Sequence, residues 1–237
     1  MNLSHHTLSS YDAQLQHLLG LILDMGAEVR KLLIEAKVAF RSRDETRVAQ
    51  AKAADKIINE LDQRVEDEAA VILALQNPMA IDLRFVISVL KITTMLERAG
   101  DLAKNTVKRS VKMGTYAQED IIVKLENMAD VTIEMLDQAL DAFENKDNEK
   151  AARVWKRDED MDRLYKEVFA LMQKSMIEHP ENAQAATHVV FAAKNLERLA
   201  DYTTNLAKTV YYVTSGKRAD KAILKNLAEG ASSTTAE

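Results

Sequence analysis

Three features of the chain predict an all-α fold of two tandem antiparallel three-helix bundles, six long helices in a spectrin-repeat-like arrangement. Helix breakers are scarce: six glycines and two prolines among 237 residues allow few turns, and the helix formers Ala, Leu, Lys, Glu, Gln and Met are abundant. Apolar residues recur at three- and four-residue spacing through long windows. The plan also repeats. With an offset of 103, Met25 pairs with Met128, Phe40 with Phe143, Asp44 with Asp147, Asp55 with Asp158 and Leu61 with Leu164. Both prolines fall at the same joint of the two halves, as an internal duplication would place them.

The first helix is predicted from about Leu8 to Phe40, through Leu15, Leu18, Leu19, Ile22, Met25, Val29, Leu32, Leu33 and Ala36. Gly20 and Gly26 lie inside it and are expected to mark close helix contacts, each at a helix cost of about 1 kcal/mol. Asp44 is the expected N-cap of a second helix running to Gln76 through Ile57, Ile58, Leu61, Val65, Ala69 and Ile72. Asn77-Pro78 ends it, because the residue before proline disfavours helical geometry. A third helix runs from Ala80 to Lys112, closed by Gly114. The second half follows suit: Glu119 to Asn145, then a helix capped by Asp147 and reaching Glu178, then a break at His179-Pro180. Its last helix spans Asn182 to Thr214, before Gly216. The predicted units are residues 8–114 and 117–216, with 217–237 as a short helical turn and frayed tail.

Bulk charge narrows the function classes. A net charge of −5 and a pI near 5.7 argue against nucleic acid as a partner. No cysteine is present, so disulfides and thiolate chemistry are absent and a reducing compartment fits. The first ten residues have no Lys or Arg of a secretory signal, and Asp82, Arg84 and Lys91 interrupt the most apolar stretch, Ile81 to Leu96. The expectation is a cytoplasmic protein that reaches membranes only through partners.

The chemistry is concentrated in Leu96-Glu97-Arg98-Ala99-Gly100-Asp101-Leu102-Ala103-Lys104-Asn105. It returns as Leu196-Glu197-Arg198-Leu199-Ala200-Asp201-Tyr202-Thr203-Thr204-Asn205, at an offset of 100. Positions i, i+4 and i+8 share a helix face, so Glu97, Asp101 and Asn105 form one stripe. On a helical wheel Leu90 and Val86 lie within about 20° of Glu97, so the carboxylates continue an apolar stripe. The second helix carries Asp55, Asn59, Asp62 and Glu66 on one line; the fifth carries Asp158 and Asp162. Asp55 precedes Asn77 by 22 residues and Glu97 follows it by 20, so at about 1.5 Å per residue they come level within roughly 3 Å. The same count about Pro180 sets Asp158 and Asp162 opposite Glu197 and Asp201.

Oxygen ligands without thiolate suit a hard or borderline cation such as magnesium, manganese, calcium or iron. The plain alternative is a pair of solvated acidic faces neutralised by Arg98 or Lys104. Catalysis finds little support. There is no Glu-x-x-His pair of the di-iron bundles, no glycine-rich phosphate loop, and His5, His6, His17, His179 and His188 are scattered. A metal-carboxylate enzyme or metal-storage bundle is the alternative from another class.

These motifs resemble the PhoU family of phosphate-transport accessory proteins. Each half carries E-R-x-[GA]-D-x-x-x-N on its third helix and D-x-x-x-[ND] on its second. Gln76 to Arg84 resembles the family's Q-x-P-x-A-x-D-L-R turn, and Val210 to Gly216 its closing V-x-Y-x-x-x-G. The resemblance spans residues 8–216 and implies a cytoplasmic, non-enzymatic, homodimeric regulator. Its implied action is to damp uptake by the phosphate-specific ABC transporter when phosphate is plentiful and to hold the phosphate sensor histidine kinase in its repressing state. The implied partners are that kinase and the transporter's ATP-binding subunit. The resemblance also implies divalent or iron-type ions (magnesium, manganese, iron or zinc) on Glu97, Asp101, Asp55 and Asn59, and on Glu197, Asp201, Asp158 and Asp162. The second copy departs from the pattern at Ala200, usually glycine, and at Tyr202, where histidine is common. The added methyl group is expected to narrow that site. No phosphate pocket is evident in the sequence, so the phosphate signal is expected to arrive through partners.

Overall fold

The computed structural model describes residues 3–116 and 119–234. Apart from short connections these residues are helical, in the order α1 (Leu3–Ser42), α2 (Thr46–Gln76), α3 (Ala80–Lys112), α4 (Glu119–Asn145), α5 (Asn148–Glu178), α6 (Ala183–Ser215) and α7 (Lys221–Thr234). Six of these lie where the periodicity predicts, although α1 begins five residues earlier than the expected Leu8. The seventh is a correction. The tail expected as a short turn forms a 14-residue helix packed on α5, with Leu224 and Ala228 buried.

The helix ends follow local chemistry. Asp147 is extended and accepts a hydrogen bond from the Lys150 amide at 2.9 Å. Asp44 does the same for Thr46 at 2.8 Å, one residue outside the helical N-cap position, which Glu45 occupies. Asn77 ends α2 with φ 45° and ψ 56°, a left-handed geometry that asparagine tolerates better than most residues. Gly216 ends α6 at φ 72° and donates its amide to the Tyr212 carbonyl at 2.9 Å.

Helices α1–α3 form one bundle and α4–α6 the other, and the two lie side by side with α1 against α4 and α3 against α6. Along α1 and α4, Arg30 pairs with Asp137, Lys37 with Asp130 and Arg41 with Glu126, an antiparallel ladder. Exposed pairs of this kind add little energy individually, but their order sets the register. Beneath them α1 and α4 close tightly. A Cβ on Gly26 would lie 2.3 Å from Leu140 Cδ1, whereas Gly20 has no neighbour within 4 Å. The expected close contact therefore exists at Gly26 and not at Gly20. Helices α3 and α6 are also antiparallel: Arg84 bonds the Val213 carbonyl at one end and Arg109 meets His188 at the other. One continuous apolar core spans both bundles, and Phe85 stacks on Phe143 across the boundary at 5.7 Å.

Candidate functional site

In the first half, the turn at Asn77-Pro78 folds α3 back along α2 and brings their acidic lines together. The ammonium of Lys104 occupies the space between them. It donates to Asp55 Oδ2 at 2.7 Å and to Asp101 Oδ1 at 2.5 Å. The Lys104 and Asp55 side chains are only 14% and 13% exposed, while Asp101 is half-exposed. Burial alone would lower the lysine pKa, but the hydrogen bonds to Asp101 and Asp55 outweigh it and the net shift is upward.

Glu97 shares this cluster. Its pKa is raised, first by burial, then by the charges of Asp101, Asp62 and Asp55, with Arg98 opposing. Asp62 is raised by burial and by Glu66. Asn59 is exposed and makes no hydrogen bond to the cluster.

The second half has the same backbone plan and a different charge balance. At the repeat offset of 100, Thr204 stands where Lys104 stands. Its hydroxyl donates to Asp158 Oδ1 at 3.3 Å and brings no positive charge. The cation here is Lys194, which bonds Glu197 Oε1 at 2.6 Å and lies 5.0 Å from the Tyr165 ring centre. The other oxygen of Glu197 is buried without a hydrogen-bond partner among the described residues.

The consequence shows on the neighbouring acids. Asp201 is pushed up to about 6, first by desolvation and then by Glu197, Asp158 and Asp162, with Lys194 opposing. Asp201 keeps exposed surface, while its carboxylate is partly desolvated and lies within the field of the other acids. Asp158 is also raised: burial leads and Asp162 and Glu197 add, while the Thr204 hydrogen bond and Lys208 oppose. Asp162 is exposed at the rim of this group.

The predicted acids thus gather as two clusters, one per half. Among the described residues, however, no group of three or more Asp, Glu or His side chains stands in metal-binding geometry. Lys104, weighed from the sequence as a neutralising charge, takes that role. Thr204 and Lys194 were not singled out. Comparing position 104 with 204 and 94 with 194 was the signal available.

The glycine of the first motif has a packing reason. A Cβ on Gly100 would lie 2.7 Å from Ile58 Cδ1, so the Ile58 side chain of α2 fills the space that a side chain on Gly100 would need. In the second half Ala200 is fully buried, and unbranched Met161 replaces Ile58 at the matching position. The glycine-to-alanine departure therefore accompanies a change in the facing core residue. The other two motifs also meet: Arg84, from the turn after Pro78, donates to the Val213 carbonyl at 3.3 Å, and its guanidinium packs on Gly216.

The model of the PhoU domain matches residues 22–110 and again 125–210, one copy per bundle. The chain belongs to the PhoU family. A phosphate-specific transport system accessory protein PhoU homolog of Rhizobium meliloti is 33% identical over 216 residues, covering 90% of this chain and 91% of the relative. A homolog of the same name from Caulobacter vibrioides is 33% identical over 216 residues, covering 91% and 94%. The crystal structure of PhoU from Pseudomonas aeruginosa superposes with a TM-score of 0.82 at 29% identity, covering 87% of this chain and all of that one. PhoU from Streptococcus pneumoniae, described as a phosphate transport system regulatory protein, gives 0.79 at 27% identity, with coverage of 89% and 99%.

The two acidic clusters of this PhoU-family chain do not accommodate a cation equally. In the first, an ammonium already bridges the two helices. In the second, among the described residues, Lys194 bonds only Glu197, from its own helix, no cation bridges the acids of α5 to those of α6, and the other Glu197 oxygen is buried without a partner. Its acidic side chains offer oxygen donors, the chemistry a hard or borderline cation takes, although among the described residues they do not converge in metal-binding geometry.

Proposed function

We propose that the protein is a cytoplasmic, homodimeric regulator of phosphate homeostasis. It damps uptake through the phosphate-specific ABC transporter, by contact with the ATP-binding subunit, and keeps the phosphate sensor histidine kinase in its repressing state when phosphate is plentiful. The observation that carries this reading is the match, over nine-tenths of the chain, to proteins named as accessory to phosphate-specific transport. No helix among the described residues is long and apolar enough to cross a membrane, which agrees with action through membrane partners. Exposed Leu75, Met79 and Ile81 at the α2–α3 tip offer apolar surface for such a partner.

On this reading the acidic clusters bind and hold charge without turnover. Asp158, Glu197 and Asp201, with Asp162 at the rim, are the residues that would hold a metal ion in the second half. The ion would supply positive charge that links α5 to α6, as Lys104 links α2 to α3. The test is a deletion strain grown in high phosphate. Phosphate-starvation genes are expected to be derepressed there and restored to repression by the intact chain. Silent genes in the deletion strain would refute the assignment.

A further inference from the structure

The contact between α3 and α6 is built from the same repeat twice, yet its two ends differ. At one end Arg109 bonds His188 Nδ1 at 3.0 Å, and its guanidinium lies 4.6 Å from the centre of the Phe191 ring. The offset of 100 maps Arg109 onto Thr209, His188 onto Ser88 and Phe191 onto Lys91. At the second end, then, three large groups become a threonine, a serine and a flexible lysine. A cavity of about 410 Å³ opens there, lined by Ser88, Lys91, Lys208, Thr209, Tyr212 and Arg218 among others.

The lining is one-sided in charge. Three cations face the cavity and no carboxylate lines it. Lys91 and Arg218 form no ion pair among the described residues, whereas Lys208 donates to Asn205 Oδ1 at 3.5 Å and its charge reaches Asp158. Ser88 supplies a second, independent sign. It is 1% exposed, lines the cavity, and its hydroxyl has no hydrogen-bond partner. A helical serine or threonine ordinarily satisfies itself on the preceding turn, as Thr93 does on the Val89 carbonyl. A buried hydroxyl left open beside three cations is a donor awaiting an acceptor.

We propose that this cavity binds a phosphoryl oxyanion, a phosphate or a diphosphate group, at the junction of the two bundles. Lys91, Lys208 and Arg218 supply the charge, and the Ser88 hydroxyl donates to a phosphoryl oxygen. Tyr212 offers an oxygen that accepts from a protonated phosphate, as does the second lone pair of Asn205 Oδ1, which already accepts from Lys208 at 3.5 Å. The volume falls within the range of small-molecule sites and exceeds the needs of one tetrahedral ion, so a diphosphate also fits. Because α3 belongs to one bundle and α6 to the other, occupancy ties the halves together. The choice of phosphoryl groups over other oxyanions rests on the regulatory reading above.

The test is calorimetric titration of the purified full-length chain with inorganic phosphate, pyrophosphate and sulfate. Phosphate or pyrophosphate is expected to bind, and the stronger of the two identifies which group the site is sized for. Sulfate has no proton for the accepting oxygens and is expected to bind more weakly than phosphate. Lys91→Ala and Arg218→Ala, both on exposed residues that leave the core intact, are each expected to weaken binding about tenfold or more. Lys91→Phe, which copies the closed end, is expected to abolish it. Lys52→Ala, on the exposed face of α2 outside the cavity, is expected to leave affinity unchanged. Absence of binding, equal binding of sulfate, or affinity unaltered by Lys91→Ala and Arg218→Ala would overturn the site. Derepression in the deletion strain is read separately, so loss of this site and loss of the regulatory assignment are distinguishable.

Discussion

Replacing Lys104 by methionine keeps most of the apolar stem of the side chain, one atom shorter, and deletes the charge that joins α2 to α3. The Asp55 pair sits toward the buried limit, with both side chains about one-seventh exposed. Breaking a fully buried pair costs about 3–5 kcal/mol, because a charge is stranded. The Asp101 pair is half-exposed on the acid side, and exposed pairs contribute about 0.2–1 kcal/mol. Between these limits Lys104→Met should cost about 2–3 kcal/mol. For a chain of this size that lowers the melting temperature by roughly 5–10 °C.

The measurement is a thermal or urea melt of chelator-treated protein at pH 7. Asp55→Asn added to Lys104→Met should recover much of the loss, because the stranded charge is then gone. Lys104 has its folded-state pKa raised, so its contribution is fully present below the ordinary lysine value of 10.5 and is lost as pH rises through the folded value. The gap between parent and variant should therefore hold from pH 7 to 10.5 and close as pH rises through the higher folded value. A Lys104→Met protein melting within about 1 °C of the parent would show that the ammonium is not what holds the two acidic lines together.

Other consequences follow from the same comparison of halves. Gly100→Ala drives a Cβ into Ile58; overpacking of about 1–3 kcal/mol against a helix-propensity gain near 1 kcal/mol leaves a net loss of about 1 kcal/mol, and Ile58→Met, copying Met161, should restore it in a urea melt. Native mass spectrometry of protein purified without chelator should show bound metal lost in Glu197→Ala/Asp201→Ala and in Thr204→Lys, with a smaller loss in Glu97→Ala/Asp101→Ala; equal losses from both halves would contradict the asymmetry. His188 is held below its usual 6.5, first by burial and then by Arg109 and Lys112. Its stabilising contribution is therefore present above pH 6.5 and lost as pH falls through the folded value. An NMR titration should place its midpoint below 6.5, and Arg109→Ala should move it back up.

Most of the helical plan was legible, because long amphipathic helices announce themselves by period and two prolines punctuate them. The α7 helix was missed although Ile223, Leu224, Leu227 and Ala228 carry a helical spacing. Its Ser- and Thr-rich end reads as tail, and only packing on α5 reveals the buried face. The acidic stripes were legible because i, i+4 spacing fixes a face, and counting residues about Asn77-Pro78 set their level. The different charge states of the two clusters were harder to see. They depend on Lys104 and Thr204, residues one turn removed from the carboxylates, and on where their side chains reach. The cavity between α3 and α6 was not legible from spacing within either helix. It is made by residues more than a hundred positions apart, joined only when one bundle packs on the other. Yet the unlike pairs Ser88/His188, Lys91/Phe191 and Thr209/Arg109 stand in the sequence for anyone who subtracts one repeat from the other.

The most direct test of the regulatory reading is affinity capture of the full-length chain from its own cells in high and in low phosphate. Recovery of the ATP-binding subunit of the phosphate transporter and of the phosphate sensor kinase, in amounts that change with phosphate supply, is the predicted result. A capture that recovers neither protein under either condition would contradict it.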